Sequence, residues 1–201
     1  MPEPIVQAGV EVLRASAAYV SPDEIRTPEF QALVVRMIAA MREAPGVGLA
    51  APQLGVGKRV FVMEDREGYL AAVSKETLEE RERVVVPLRT IVNPVVKPVG
   101  KATKTFFEGC LSVDGFVALV PRFREVTLTG MDENAEPVKL HLKGWPARIA
   151  QHETDHLNGM LYIDRMITRS FGTVDNTRGW LGKKSTTEAV KSLILDPPKR
   201  A

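Results

Sequence analysis

The feature that most constrains the fold is a change of hydrophobic period in the second half of the chain. Three segments, FVALV, REVTLTGMD and PVKLHLK, alternate or run apolar between turn signals, and this pattern predicts an antiparallel meander. From Trp145 the spacing of Ile149, His152, His156 and Met160 becomes helical. Strands followed by a long helix indicate an α+β fold.

The first half of the chain also predicts alternating helices and strands. Residues 27–43 read as an amphipathic helix with a cap at Thr27. Residues 59–64 and 89–96 read as strands, and the charged stretch 74–83 as a surface helix or excursion. No repeat or low-complexity linker is present, so we expect a single domain over residues 1–201, with an irregular tail from about 170 that includes one short helix in TTEAVKSLIL.

Composition excludes several classes of function. The chain has 27 Lys and Arg against 25 Asp and Glu, and this balance indicates neither a nucleic-acid nor a membrane partner. No apolar run is long enough to span a membrane, and the N-terminus has no secretory pattern. The one cysteine, Cys110, has no intramolecular partner, which favours a reducing compartment. We expect a cytoplasmic protein, or alternatively a mature organellar one.

The predicted helix carries the motif QHETDHLNG at 151–159. His152 and His156, four residues apart, lie on one face of a helix and can bind a single ion, with Glu153 beside them. Because two ligands do not make a strong metal site, the motif could equally belong to a helix whose histidines are partly exposed or hydrogen-bonded in the core. The ligand patterns of two common zinc-protease families fit poorly. Tyr162 stands where the first pattern has a third histidine. The second pattern needs a downstream glutamate ligand, and the first glutamate after Glu153 is Glu188, far away in the tail.

Two residues, His141 and Cys110, remain as candidates for the third ligand. His141 lies on a predicted strand, where a polar or half-buried role is the default, and is the weaker candidate. Cys110 lies in EGCLS beside a glycine, although a lone cysteine is also often just a small buried hydrophobe. A thiolate and two imidazoles would leave a fourth tetrahedral position for water, which is the layout of a catalytic site.

Three stretches together resemble the signature motifs of peptide deformylases. They are GVGLAAPQ at 46–53, EGCLS at 108–112 and QHETDHLNG at 151–159, and they occur in the family's order. VDGF, GWPARI and FGTVDN most resemble the plant and mitochondrial type. The resemblance implies antiparallel β-sheets packed around a central helix that carries HExxH, with an N-terminal amphipathic helix. It also implies removal of the N-formyl group from formyl-methionine of nascent chains at the ribosome, with release of formate.

The resemblance also implies roles for individual residues. Cys110, His152 and His156 would hold a metal that lowers the pKa of a bound water, and Glu153 would move the proton. The Gln53 side-chain amide and the Leu111 N–H would stabilise the oxyanion.

A second group of residues would bind the peptide or support the site. Gly46 and Gly48 would let the main chain pair with the peptide, and the alternative of a phosphate-binding loop fails for lack of its lysine and hydroxyl. The methionine side chain would lie among Val47, Trp145, Ile149 and the ring of His152, although Trp145 and Ile149 are as often ordinary core residues. Asp155 would brace the site from behind the ligands, and we hypothesise a buried pair between Glu108 and Arg148.

The ligand set does not single out one metal. A thiolate with two imidazoles suits ferrous iron, which we place first, and also zinc, nickel or cobalt. Two rival functions remain: a metalloendopeptidase, and an inactive binding module stabilised by its metal.

Overall fold

The computed structural model describes residues 4–181 and 185–192, which form a mixed α+β fold with two antiparallel sheets. The strands are β1 (Gly48–Ala50), β2 (Val60–Asp65), β3 (Val86–Pro98), β4 (Thr103–Cys110), β5 (Val113–Phe123), β6 (Glu125–Met131), β7 (Pro137–Lys143) and β8 (Gly172–Thr173). The α-helices are α1 (Pro22–Ile25), α2 (Pro28–Glu43), α3 (Glu67–Leu70), α4 (Lys75–Arg81), α5 (Trp145–Leu157), α6 (Val174–Leu181) and α7 (Thr186–Val190). Short 3-10 helices cover Glu11–Leu13, Ala51–Leu54, Tyr162–Asp164 and Thr168–Ser170.

The larger sheet has the strand order β1-β2-β3-β6-β7, and the smaller one β4-β5-β8. The predicted meander is therefore correct for β6 and β7, which pair, but wrong for β5, which pairs with β4 and β8. The chain passes from one sheet to the other at Arg124, a single residue between β5 and β6. Strands β5 and β6 are adjacent in sequence but lie in different sheets, because β5 pairs with β4, which precedes it, and with β8.

The central strand β2 is buried on both faces, and this explains its continuous apolar run. Val60 and Val62 pack in the cluster that contains the apolar face of α2, whereas Phe61 and Met63 pack with α5. Alternate side chains of a strand point to opposite faces, so the two helices cover opposite sides of the larger sheet. Helix α2 begins at Pro28, where the Thr27 hydroxyl accepts a hydrogen bond from the Phe30 N–H at 3.3 Å.

Helix α5 contacts strands of both sheets and is buried along most of its length. It is followed by Gly159, whose φ of +71° is a left-handed conformation. A Cβ at this position would lie 2.6 Å from the Arg14 carbonyl oxygen, so no larger residue fits without movement. The end of α5 is therefore held in place against the N-terminal segment.

The C-terminal segment is more regular than the sequence predicts. Strand β8 pairs with β5 and is followed directly by α6, where we expected irregular chain from about residue 170. Pairing with β5 supplies the long-range contact that local sequence does not reveal. The predicted short last helix corresponds to α7, and the rest of TTEAVKSLIL beyond residue 192 lies outside the described residues. Within residues 4–181 and 185–192, no helix combines the length and apolarity that a membrane span requires.

Candidate metal centre

Three potential ligand side chains meet between the two sheets. Cys110 ends β4 at a register shift in the β4–β5 pairing, and His152 and His156 lie one turn apart on α5. Their ligand atoms all lie within 4.8 Å of one another, and Cys110 Sγ is 3.3 Å from His156 Nε2. His141, the weaker candidate, lies on β7 and faces Glu125 instead, at 3.4 Å.

The two histidines differ in how their rings are held. Nδ1 of His152 lies 3.0 Å from a carboxylate oxygen of Glu108, which fixes the ring and leaves Nε2 for an ion. Burial opposes a charge on His152, but hydrogen bonds to Cys110 and Glu108 outweigh it and raise its pKa well above 6.5. Nδ1 of His156 is buried and has no partner among the described residues. Burial and the nearby His152 lower the pKa of His156.

The sulfur of Cys110 accepts hydrogen bonds from two groups. The Ser112 N–H lies 3.4 Å away and the Gln53 side-chain amide 3.6 Å away. Gln53 is itself fixed, because its carbonyl oxygen accepts from the Ala50 N–H at 2.9 Å. These contacts fix the position of the sulfur beside the two imidazoles.

Glu153 is a buried carboxylate beside the ligand set. Its Oε2 has no hydrogen-bond partner among the described residues, and burial raises the pKa of the side chain to about 7. A Cβ added to Gly48 would lie 2.3 Å from Glu153 Oε1, so glycine at this position makes room for the carboxylate. A carboxyl group with such a pKa can both take up and release a proton near neutral pH.

A buried network of charges lies behind His152. Glu108 pairs with Arg148, as hypothesised, and also with Arg122, whose Nη2 lies 2.8 Å from Glu108 Oε2. Burial alone would raise the pKa of Glu108, but the charge of Arg122 and the hydrogen bonds from His152 and Arg122 hold it well below its usual range. Arg122 also pairs with Asp155, so Arg122 and Glu108 link Asp155 to His152.

Sequence reasoning missed Arg122 and Arg165. Arg165 binds Asp155 through two hydrogen bonds of 2.7 and 2.8 Å. A signal for Arg122 was present, because it stands two residues after Val120, on the same inward face of β5. The position of Arg165 follows from the turn after α5, which the sequence pattern does not specify.

Cys110 and His152 line a cavity of about 430 Å³. The residues predicted to be catalytic, Glu153, Gln53 and Leu111, also line it, and so do those predicted to bind substrate: Val47, Gly48, Trp145 and Ile149. Along one side runs β1, the edge strand of the larger sheet. Two arginines that sequence reasoning did not consider, Arg81 and Arg83, also lie in the wall.

A sulfur and two helix-borne imidazoles beside a buried carboxylate form the kind of site that metal-dependent hydrolases use. The comparisons place this site in one family. A polypeptide deformylase family model matches residues 2–171, and the chain belongs to that family. The family predicted from the three motifs is therefore confirmed.

Similar proteins come from plants, animals and bacteria. The chain is 48% identical over 176 residues to peptide deformylase 1A, chloroplastic/mitochondrial, of Arabidopsis thaliana, covering 88% of this chain and 65% of the relative. It is 43% identical to the mitochondrial peptide deformylase of Homo sapiens, covering 86% and 73%. A Met-Ala-Ser-bound class I type b peptide deformylase from Acinetobacter baumannii superposes with a TM-score of 0.72 at 32% identity, covering 83% and 99%. These findings do not support the metalloendopeptidase alternative.

Proposed function

We propose that this protein removes the N-formyl group from the N-terminal formyl-methionine of nascent polypeptides and releases formate. One observation carries the proposal. The cavity lined by two of the three potential ligands, Cys110 and His152, is also lined by Glu153, whose buried carboxylate has an oxygen with no partner among the described residues, and by Gly48 of an edge strand. A metal ligand set, a proton carrier and a peptide-binding edge in one cavity are what hydrolysis of a terminal amide requires.

We propose that Cys110, His152 and His156 hold one divalent ion, ferrous iron first, with zinc, nickel and cobalt also suited. The donor chemistry fits, because the sulfur accepts two hydrogen bonds and Glu108 leaves Nε2 of His152 available. When bound, such an ion polarises a carbonyl and lowers the pKa of water.

Glu153 takes the proton of the attacking water and returns it to the amine when the bond between the formyl carbon and nitrogen breaks. The pKa of about 7 that burial gives this carboxyl suits both transfers. The Gln53 amide and the Leu111 N–H stabilise the oxyanion that forms on the formyl oxygen. The Gln53 amide reaches this position by giving up its 3.6 Å contact to the Cys110 sulfur, while its 3.2 Å hydrogen bond to the Ser112 hydroxyl holds the side chain in place.

The substrate peptide adds as a strand to the free side of β1, where Gly48 keeps the main chain accessible. Its first side chain enters the cavity among Val47, Trp145 and Ile149, beside the ring of His152. The Met-Ala-Ser peptide bound to the Acinetobacter baumannii relative supports a tripeptide of this kind as the test substrate.

We further propose that residues 1–201 form a single catalytic domain with a C-terminal tail, acting on chains as they leave the ribosome. Asp155 braces the metal site through Arg122 and Glu108. The relatives are chloroplastic, mitochondrial or bacterial, so the setting is either the bacterial cytoplasm or an organelle.

The proposal is tested with anaerobically purified protein whose metal is analysed and which is then given formyl-Met-Ala-Ser. We expect formate release without internal cleavage, near-complete loss of rate in Glu153→Gln with metal retained, and an unchanged rate in Glu79→Gln on the exposed face of α4. Cleavage of blocked internal peptides would instead indicate an endopeptidase. Bound metal with no turnover in either protein would indicate a binding module.

A further inference from the structure

Arg81, the last residue of α4, lies in the cavity wall without a hydrogen-bonded carboxylate among the described residues. Its guanidinium carbon lies 5.3 Å from the ring centroid of Trp145 and 5.5 Å from that of Phe106. Within residues 4–181 and 185–192, no hydrogen bond or ion pair engages its side chain, and its Nε is buried without an acceptor. Aromatic faces, rather than a hydrogen-bonded anion, therefore hold the guanidinium.

The other arginines in the cavity wall are compensated. Arg83 binds Asp65 through two hydrogen bonds of 2.7 and 2.9 Å, and Arg148 pairs with Glu108. Burial, together with repulsion from Arg148 and Arg83, lowers the pKa of Arg81, and the attraction of Glu80 and Glu108 only partly offsets this. A half-buried charge without a hydrogen-bonded acceptor costs stability, so its retention in a cavity wall points to an acceptor that a ligand supplies.

The position of Arg81 indicates which part of a substrate it meets. It stacks on Trp145, seven residues before His152 on α5, and a rise of about 1.5 Å per residue separates these two positions by roughly 10 Å. With bonds of about 1.5 Å, an extended formyl-methionine spans roughly 7 Å from the formyl carbon to the sulfur. An oxygen on that sulfur and a hydrogen bond of about 2.9 Å extend the reach to roughly 11 Å, which is comparable to the separation of the two helix positions.

We propose that Arg81 is a specificity-determining residue that donates a hydrogen bond to the end of the first side chain, so that the cavity favours methionine sulfoxide over an apolar chain of equal length. The inference rests on the proposed deformylase function. A thioether is a weak acceptor, whereas a sulfoxide oxygen is polar and accepts readily. The protein would then process nascent chains whose first methionine has been oxidised.

The test measures kcat/KM for formyl-Met-Ala-Ser and for its sulfoxide and norleucine counterparts. A hydrogen bond to a charged donor is worth roughly a tenfold to hundredfold preference, so Arg81→Met should lower the ratio of sulfoxide to norleucine at least about tenfold, chiefly through KM. Arg81→Lys should retain part of the preference. Lys75→Met, at an exposed position of the same helix, should leave the ratio unchanged.

Because the ratio compares two substrates on one enzyme sample, a loss of folded or metal-loaded protein cancels. A ratio that is the same in Arg81→Met as in the unchanged protein overturns the inference while the proposed function stands. Absence of formate release from all three peptides by the unchanged, metal-loaded protein overturns both.

Discussion

Two sets of ion pairs in this molecule have similar geometry and different surroundings. The inner network lies behind the metal centre and consists of Glu108, Arg122, Arg148, Asp155 and Arg165. The outer pairs are Arg42 of α2 with Glu64 of β2, and Arg124, between β5 and β6, with Glu82. In both sets an arginine fork meets a carboxylate through two hydrogen bonds.

The difference lies in burial. The side chains of Arg122 and Glu108 are 3% and 4% exposed, whereas those of Arg42 and Arg124 are 43% and 37% exposed. Water and salt screen the exposed arginines of the outer pairs, and least screening reaches Glu64, whose side chain is 11% exposed; Glu82, at 29%, is the more accessible outer carboxylate, so the loss of Arg124 should cost little. In the inner network a lost partner leaves a buried charge uncompensated. Similar hydrogen-bond geometry therefore does not imply similar contributions to stability. Of the two sets, the inner network is the one that contacts His152, a proposed metal ligand, through Glu108.

The largest effect that we expect comes from the matched pair Arg122→Met and Arg124→Met. The first leaves Glu108 and Asp155 without their shared cation and should lower the free energy of unfolding by about 3–5 kcal/mol. The second should cause a far smaller loss, because its partner Glu82 remains accessible to water. Urea unfolding of both variants, with metal removed by a chelator, isolates this effect from metal binding. Equal losses in the two variants would show that burial does not separate the two sets.

A smaller effect is expected on metal affinity. Glu108→Gln keeps an acceptor for Nδ1 of His152 but removes the charge that orients the ring, so affinity should fall about 10–100-fold. Glu82→Gln changes an outer carboxylate in the same way and should leave affinity unchanged. Competition with a chromophoric chelator measures both. An unaltered affinity in Glu108→Gln would mean that the network stabilises the fold without serving the metal.

Much of the fold was predictable because its signals are local. The helical spacing from Trp145 and the cap at Thr27 correspond to α5 and α2, and alternation marked β6 and β7. The pairing of β5 with β4 and β8 was not predictable, since alternation reveals the faces of a strand but not its neighbours. The same limit applies to β8, a two-residue strand that exists only through its pairing.

The parts of the candidate site that stand in local sequence motifs were predictable, and the parts that depend on contacts between distant elements were not. Cys110, His152 and Glu153 stand in compact motifs whose residue types indicate their chemistry. Arg122 and Arg81 belong to no motif, and their importance arises from contacts across the fold. Arg122 pairs with two carboxylates, Glu108 and Asp155, whereas Arg81 has no hydrogen-bonded carboxylate among the described residues. These contacts join elements that are distant in sequence, so the sequence pattern does not reveal them.

The smallest effect that we expect concerns the outer pairs and acid pH. The hydrogen bonds from Arg42 to Glu64, of 2.8 and 2.9 Å, hold the pKa of Glu64 below its usual 4.5. A carboxyl whose pKa is lower in the folded state contributes stability that is complete above its unfolded value and is lost as pH falls through the folded value. Glu64→Gln should therefore be slightly less stable than the unchanged protein at neutral pH, and this difference should shrink as the pH falls below about 4.5. Urea unfolding of both proteins across that range measures it, and a difference independent of pH would mean that the pair contributes through packing rather than charge.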